Sequence, residues 1–188
     1  MLVGVGDDAA VLESGGEELI IVTCDAQIQG VHFNLEWSTP MQIGKRAASV
    51  NLSDIAAMGG KPLFALISLQ VPKSTDVSLL DGLYSGLVSR FGQWGVQIVG
   101  GNTSSHPSTI GVDITLLGRV SEQNLLLRSR AKPGDLLCVT GDLGASAAGL
   151  EILKRFYSGA SKGFEMAKRA YLDPEPRVAE GLFLGKVG

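Results

Sequence analysis

The sequence predicts an α+β protein: an N-terminal mixed sheet with helices on one face, followed by a partial α/β C-terminal domain. Three observations carry this expectation. Short β-branched runs recur at 18–24, 63–71 and 110–120; stretches of helical period stand between them; and beyond residue 128 helical patterns accompany a single strand-like run.

In chain order, Leu19-Ile20-Ile21-Val22 runs through Thr23 and Cys24 and stops at Asp25, which sets a carboxylate at a strand end. Ser38, Thr39 and Pro40 start a helix in which Ile43, Ala47, Val50, Asp54 and Met58 repeat at three- and four-residue spacing until Gly59-Gly60. The strand at 63–71 closes at Pro72. Asp76 caps a second helix whose Leu79, Leu80, Leu83, Leu87, Phe91 and Trp94 keep the helical period up to Gly95. Residues 96–99 lead into a Gly100-Gly101-Asn102-Thr103 turn, and 110–120 alternates as a further strand. The basic, turn-rich stretch 129–135 marks a boundary and divides the chain into domains 1–128 and 129–188. In the second domain 136–140 reads as a strand, and helices run from Ala145 to about Phe156, over 164–171, and from Pro174 and Pro176 to near Gly185. That is too little sheet to cover the apolar faces of those helices, so this part reads as half a domain.

With 188 residues, 45% of them hydrophobic, the chain is long enough to bury a core, and a net charge of −3 with scattered Lys and Arg leaves no footprint for nucleic acid. The apolar runs are too short to span a bilayer and no basic leader follows Met1, so the expectation is a cytoplasmic protein without a membrane partner. Cys24 and Cys138 are far apart within apolar runs, which argues against a disulfide framework or a zinc site and for two buried thiols.

The chemistry-bearing residues begin at Gly4-Val5-Gly6-Asp7-Asp8, where two carboxylates follow a glycine turn; Asp25, Asp54 and the Gly-Gly-Asn-Thr turn come after. Oxygen ligands beside glycine-rich turns suit magnesium and phosphate, the needs of a nucleotide-using enzyme. Taken singly, each residue has a plainer reading. Asp7 and Asp8 fit a solvated turn, Asp25 a cap, Asp54 a polar helix face, Gly100-Gly101 a turn, His32 a satisfied loop histidine, and Arg128 an exposed arginine.

Their order narrows the choice. Gly-Val-Gly-Asp-Asp-Ala-Ala-Val-Leu, Thr-Cys-Asp followed by Gly-Val-His-Phe, Asn-Leu-Ser-Asp-Ile-Ala-Ala-Met-Gly-Gly-Lys-Pro, Gly-Gly-Asn-Thr and Arg-Ser-Arg-Ala-Lys-Pro-Gly-Asp together resemble the thiamine-monophosphate kinase family. That family lies in the superfamily of aminoimidazole ribonucleotide synthetase and selenophosphate synthetase. The resemblance runs over nearly the whole chain, and Gly-Val-His-Phe points to the kinase branch. It implies ATP as co-substrate, several magnesium ions, and phosphoryl transfer to thiamine monophosphate giving thiamine diphosphate and ADP. Asp8, Asp25 and Asp54 fall on the magnesium cluster, with Asp7 beside it and Thr23, Cys24 and Asn102 among the ligand positions. His32 falls on the substrate contact, and Gly101, Asn102 and Arg128 on ATP contacts; no general base is implied.

The resemblance also implies a homodimer whose N-terminal sheets close into a β-barrel, with the strands around Ile20, Leu66 and Ile114 as candidates for that surface. Two departures stand out: Asn102 replaces an aspartate, and Cys24 a serine or threonine, so a charge and a hard oxygen ligand are lost. The family's leading amphipathic helix and its later Asp-x-Ser-Asp-Gly motif are not among the 188 residues, so the chain is expected to correspond to the first half to two-thirds of such an enzyme and to be inactive alone. Two alternatives are another ATP-dependent member of the superfamily and a non-catalytic nucleotide-binding or dimerisation module.

Overall fold

The strand richest in inward apolar residues takes the centre of the sheet. The computed structural model describes residues 1–155 and 162–187. Its five strands are β1 (Ala10–Glu13), β2 (Glu18–Ile28), β3 (Lys61–Val71), β4 (Gln97–Ser105) and β5 (Gly111–Ser121), in the order β1-β2-β5-β3-β4. All neighbours are antiparallel except β3 and β4, so the sheet is mixed. On β5, Val112, Ile114, Leu116 and Val120 alternate inward beneath the helix layer, as a one-sided sheet requires.

That layer is made by α1 (Pro40–Ala57) and α2 (Val77–Gly92). Thr39 and Gln42 form a reciprocal capping box with Pro40 in the first turn, and Gly59, at φ 70°, ends α1. Asp76 caps α2 by accepting from the Ser78 N–H at 2.8 Å. Leu83, Leu87 and Phe91 of α2 are fully buried, each worth roughly 1.5–3 kcal/mol of apolar burial. The two helices approach closely because each offers a glycine to the other's backbone. A Cβ on Gly44 would overlap the Leu83 carbonyl, and one on Gly86 would overlap the Met41 carbonyl.

Beyond residue 128 lie α3 (Ala145–Lys154), α4 (Lys162–Leu172) and α5 (Val178–Val187). Phe156, where the third helix was expected to end, lies outside the described residues. The helices do not depend on a strand of their own. Val178 belongs to the main core, Gly181 sits against the Ala56 backbone, and α4 ends beside α1 and α2. Arg90, 3% exposed, pairs with Asp173 and with Glu175 at 2.8 Å, and Lys45 reaches Asp173 at 3.5 Å.

Several expectations need correction. Residues 136–140 form no strand; Leu136, Leu137 and Val139 are exposed, and among the described residues no second strand pairs with them. An apolar β-branched run without a partner has nowhere to place its backbone hydrogen bonds. Gly100-Gly101-Asn102-Thr103 is not a turn but the middle of β4, paired with Leu66, Ile67, Ser68 and Leu69. Glycine at 101 lets the two backbones meet, since a Cβ there would run into Ile67. Cys24 and Cys138 are exposed, Cys24 because its strand parity turns it away from the helices and Cys138 because its segment is uncovered. The short β1 carries no strand signal strong enough to be read from sequence.

The other face of the sheet has no helix over it. Phe64, Leu66, Ile28 and Val99 are exposed there, with Ile20, Val22 and Leu117 partly so. Ile114 is fully buried on the helix side and does not contribute to this face.

Candidate functional site

Strand parity and one helical turn bring the acidic residues together. Thr23, Asp25 and Gln27 fall on the helix side of β2, and Asn51 and Asp54, three residues apart, share the α1 face turned toward it. The Thr23 hydroxyl donates to Asp54 Oδ2 at 2.7 Å, and the Asp25 N–H donates to Asn51 Oδ1 at 3.2 Å. Asn51 is fully buried and returns its amide to the Ala47 carbonyl at 3.0 Å, so its orientation is fixed. Asn51 was not singled out from sequence. The available signal was its spacing from Asp54, which puts both on one helix face.

Asp7 and Asp8 close the site from the N-terminal side. The Asp7 carboxylate is buried; Oδ1 accepts from the Asp8 N–H at 3.0 Å and Oδ2 from the Arg128 N–H at 3.1 Å. Asp7 is therefore a tether rather than a solvated turn residue. Arg128 grips Asp8 with both arms of its guanidinium, Nε to Oδ2 at 3.1 Å and Nη2 to Oδ1, while remaining 66% exposed. Asp54 feels all of this. Burial pushes its carboxyl up to about 6, the Thr23 hydrogen bond pulls it back, the Asp25 and Asp8 charges raise it, and Arg128 lowers it.

Asp8, Asp25 and Asp54 are thus neighbours in charge as well as in space, and the surplus negative charge favours a cation. Among the described residues no group of three or more His, Cys, Asp or Glu side chains converges closely enough to hold a metal ion by itself. Open carboxylates fit magnesium better than a cage does, because magnesium takes one or two protein carboxylates and completes its shell with water and phosphate oxygens.

The remaining candidates stand elsewhere. Cys24 points to the open face, where its sulfur accepts from Thr115 Oγ1 at 3.6 Å. Gly101 shares a row with Asp25 through Ile67 and Ile114, three strand spacings or about 14 Å away. Asn102 pairs with Ser68 and so falls on the open face, away from Asp54. A groove of about 470 Å³ at the β4 edge is lined by Gly101 and Asn102 together with Tyr84 of α2, Ile98 and Thr103. A larger hollow of about 1010 Å³, near Ser14, Glu18 and Ser121, lies at the opposite end of β2 and holds none of the candidate residues. His32 sits in the turn after β2, about 10 Å along the chain direction from Asp25. Its Nδ1 accepts from the Ile28 N–H at 3.1 Å, which assigns the proton to Nε2.

The chain is similar to proteins of known family and structure. The model of the family "AIR synthase related protein, N-terminal domain" matches residues 6–120. The thiamine-monophosphate kinase of Bacillus subtilis (strain 168) is 39% identical over 181 residues, covering 95% of this chain and 56% of that protein. The solved structure described as AaThiL complexed with AMPPCP and TMP superposes with a TM-score of 0.90 at 33% identity, over 97% of this chain and 57% of the other. A crystal structure of thiamine-monophosphate kinase from Stenotrophomonas maltophilia K279a gives 0.84 at 32% identity, covering 98% and 59%. The chain spans a little over half the length of the relatives it matches. Family match, fold and acidic site coincide within the same residues, and the chain belongs to the AIR synthase related family through that family's N-terminal domain.

Proposed function

We propose that this chain carries the nucleotide and metal part of a thiamine-monophosphate kinase, which moves the γ-phosphoryl group of ATP onto thiamine monophosphate. The observation that carries the reading is the joint placement of Asp8, Asp25 and Asp54, where burial, with a smaller push from the Asp25 and Asp8 charges, raises Asp54 to about 6. Relatives at 34–40% identity bear the kinase name, and one solved structure at 33% identity is described with AMPPCP and TMP bound.

In this reading Asp8, Asp25 and Asp54 hold magnesium, and Asp7 and Thr23 keep the carboxylates aimed. Magnesium, when bound, supplies neutralisation of polyphosphate charge. The chain's own part is positional. Arg128, mostly exposed and already paired with Asp8, is placed to turn its guanidinium to a phosphate, and His32 offers Nε2–H to the anionic acceptor. Gly101 and Asn102 stand apart from the carboxylates and contact a different part of the nucleotide. The acceptor phosphate is already ionised at neutral pH, so no general base is required.

The test is turnover by the protein as the cell makes it, with ATP, magnesium and thiamine monophosphate. Thiamine diphosphate and ADP in equal amounts are the expected result. Magnesium-dependent ATP binding with no product from this acceptor sinks the reading in favour of a nucleotide-binding module; product from a different acceptor favours another branch of the superfamily.

The reading includes a homodimer joined through the open sheet face, supported by the exposed Phe64, Leu66, Ile28 and Val99. Closing that face against a second copy removes apolar surface and covers the β4 edge. Leu66→Asp is expected to yield monomers by light scattering at micromolar concentration. A wild-type protein that is itself monomeric there rules the dimer out.

A further inference from the structure

His32 is held at three of its four hydrogen-bonding groups. Its N–H donates to the Ile28 carbonyl at 2.8 Å, its Nδ1 accepts from the Ile28 N–H at 3.1 Å, and its own carbonyl accepts from the Tyr171 hydroxyl at 2.9 Å. Nε2–H remains for a ligand. Two of these ties are local, within one turn after β2. The third comes from α4, 139 residues later in the chain.

Tyr171 is in turn immobilised. It is 6% exposed; Arg46 of α1 lies over its ring at 4.1 Å and also donates to its backbone carbonyl. The same guanidinium reaches Gln27 Oε1 at 3.4 Å, one residue before the turn that carries His32. Two residues beyond Tyr171, Asp173 is clamped by Arg90 and Lys45. A buried hydroxyl held this firmly has little freedom to choose another acceptor, so the His32 peptide is drawn to it.

We propose that Tyr171 is a positioning residue for His32, fixing the peptide that follows it and thereby the direction of Nε2–H toward an anionic acceptor substrate. The inference rests on the kinase reading for the identity of that substrate. Without the hydroxyl, the His32 carbonyl loses its partner, the peptide between His32 and Phe33 is free to rotate, and the imidazole leaves the line that its Ile28 bond alone does not define. The effect is specific to the acceptor because the Tyr171 hydroxyl bonds to the His32 carbonyl, while Asp8 is held by Arg128 and Asp54 by Thr23.

Tyr171→Phe keeps the ring and the Arg46 stacking and deletes the hydroxyl alone. In the protein as the cell makes it, KM for thiamine monophosphate is expected to rise about five- to tenfold, the scale of one hydrogen bond. KM for ATP should hold, and the melting temperature should fall by no more than about 2 to 4 °C, the cost of one hydrogen bond. Hydrogen exchange at the amides of residues 29–33 is expected to quicken. A parallel rise in both KM values, or no rise in either, overturns the proposal, since a general structural role has no reason to separate the two substrates. Unchanged exchange at residues 29–33 overturns the link between Tyr171 and His32 whatever the kinetics. A wild-type protein that never uses thiamine monophosphate defeats the kinase reading, and the proposal's substrate with it, while exchange still reports on the link alone.

Discussion

In the protein as the cell makes it, and on the kinase function proposed above, Asp54→Asn is expected to cut thiamine diphosphate formation by about a hundred- to thousandfold, the usual scale for removing one electrostatic stabiliser from a site of that kind. Melting should not fall at pH 8. The folded-state value of Asp54, about 6, lies above the 3.8 of an unperturbed carboxyl. A group raised in this way contributes stability that is fully present below about pH 4 and lost as pH climbs through about 6. Above that window the folded wild type carries a penalised charge that asparagine does not. Allowing for partial exposure, the variant should gain about 1 to 2 kcal/mol at pH 8 without magnesium, and the gain should vanish near pH 3.5. Magnesium should raise the melting temperature of the wild type and leave the variant nearly unmoved. A variant that melts well below wild type at pH 8 and still turns over would make Asp54 structural.

The second large effect is on packing. Gly44→Ala should lower stability by about 2 to 3 kcal/mol, a fall of roughly 5 to 10 °C in melting temperature. The added methyl meets the Leu83 carbonyl and the Leu87 N–H, which belong to a helix backbone and cannot step aside without moving α2. Alanine's better helix propensity returns only about 1 kcal/mol. Gly92→Ala is the control: a Cβ there meets nothing within 4 Å, so that variant should melt at or slightly above wild type. Equal melting of both variants would mean that α1 and α2 do not touch as described.

The elements legible in the sequence are those whose own residues decide their state. The α2 helix follows from Leu83, Leu87 and Phe91 at helical spacing behind an Asp76 cap, and β5 from its alternation. The run at 136–140 has every local mark of a strand, yet a strand is completed by a neighbour and none pairs with it among the described residues. β4 was obscured for the opposite reason. Its paired glycines look like a turn, and only the close approach of Ile67 explains why a strand tolerates them.

The site divides in the same way. Asp54 was readable because the helical period fixes its face on α1, whereas Asp25, read as the end of its strand, lies within β2, which runs on to Ile28 because Ala26, Gln27 and Ile28 still find partners on β5. The grip of Arg128 on Asp8 spans 120 residues, and that of Tyr171 on His32 spans 139, and no local pattern announces either. Parity explains two misplacements: Cys24 and Ile114 occupy the strands expected of them but face the opposite way from the roles given to them.

The central position of β5 also sets an order of events during synthesis. β5 is the strand that joins β2 to β3, and it is made about 90 residues after β2. Until Ser121 has emerged, the β1–β2 hairpin and the β3–β4 pair are separate pieces, each with an open edge and an apolar surface. Pairing across such separations is slow to form. The nascent chain therefore passes through a stage in which its two half-sheets are more adhesive than the finished protein, and that interval, rather than the folded state, is when it is most exposed to aggregation.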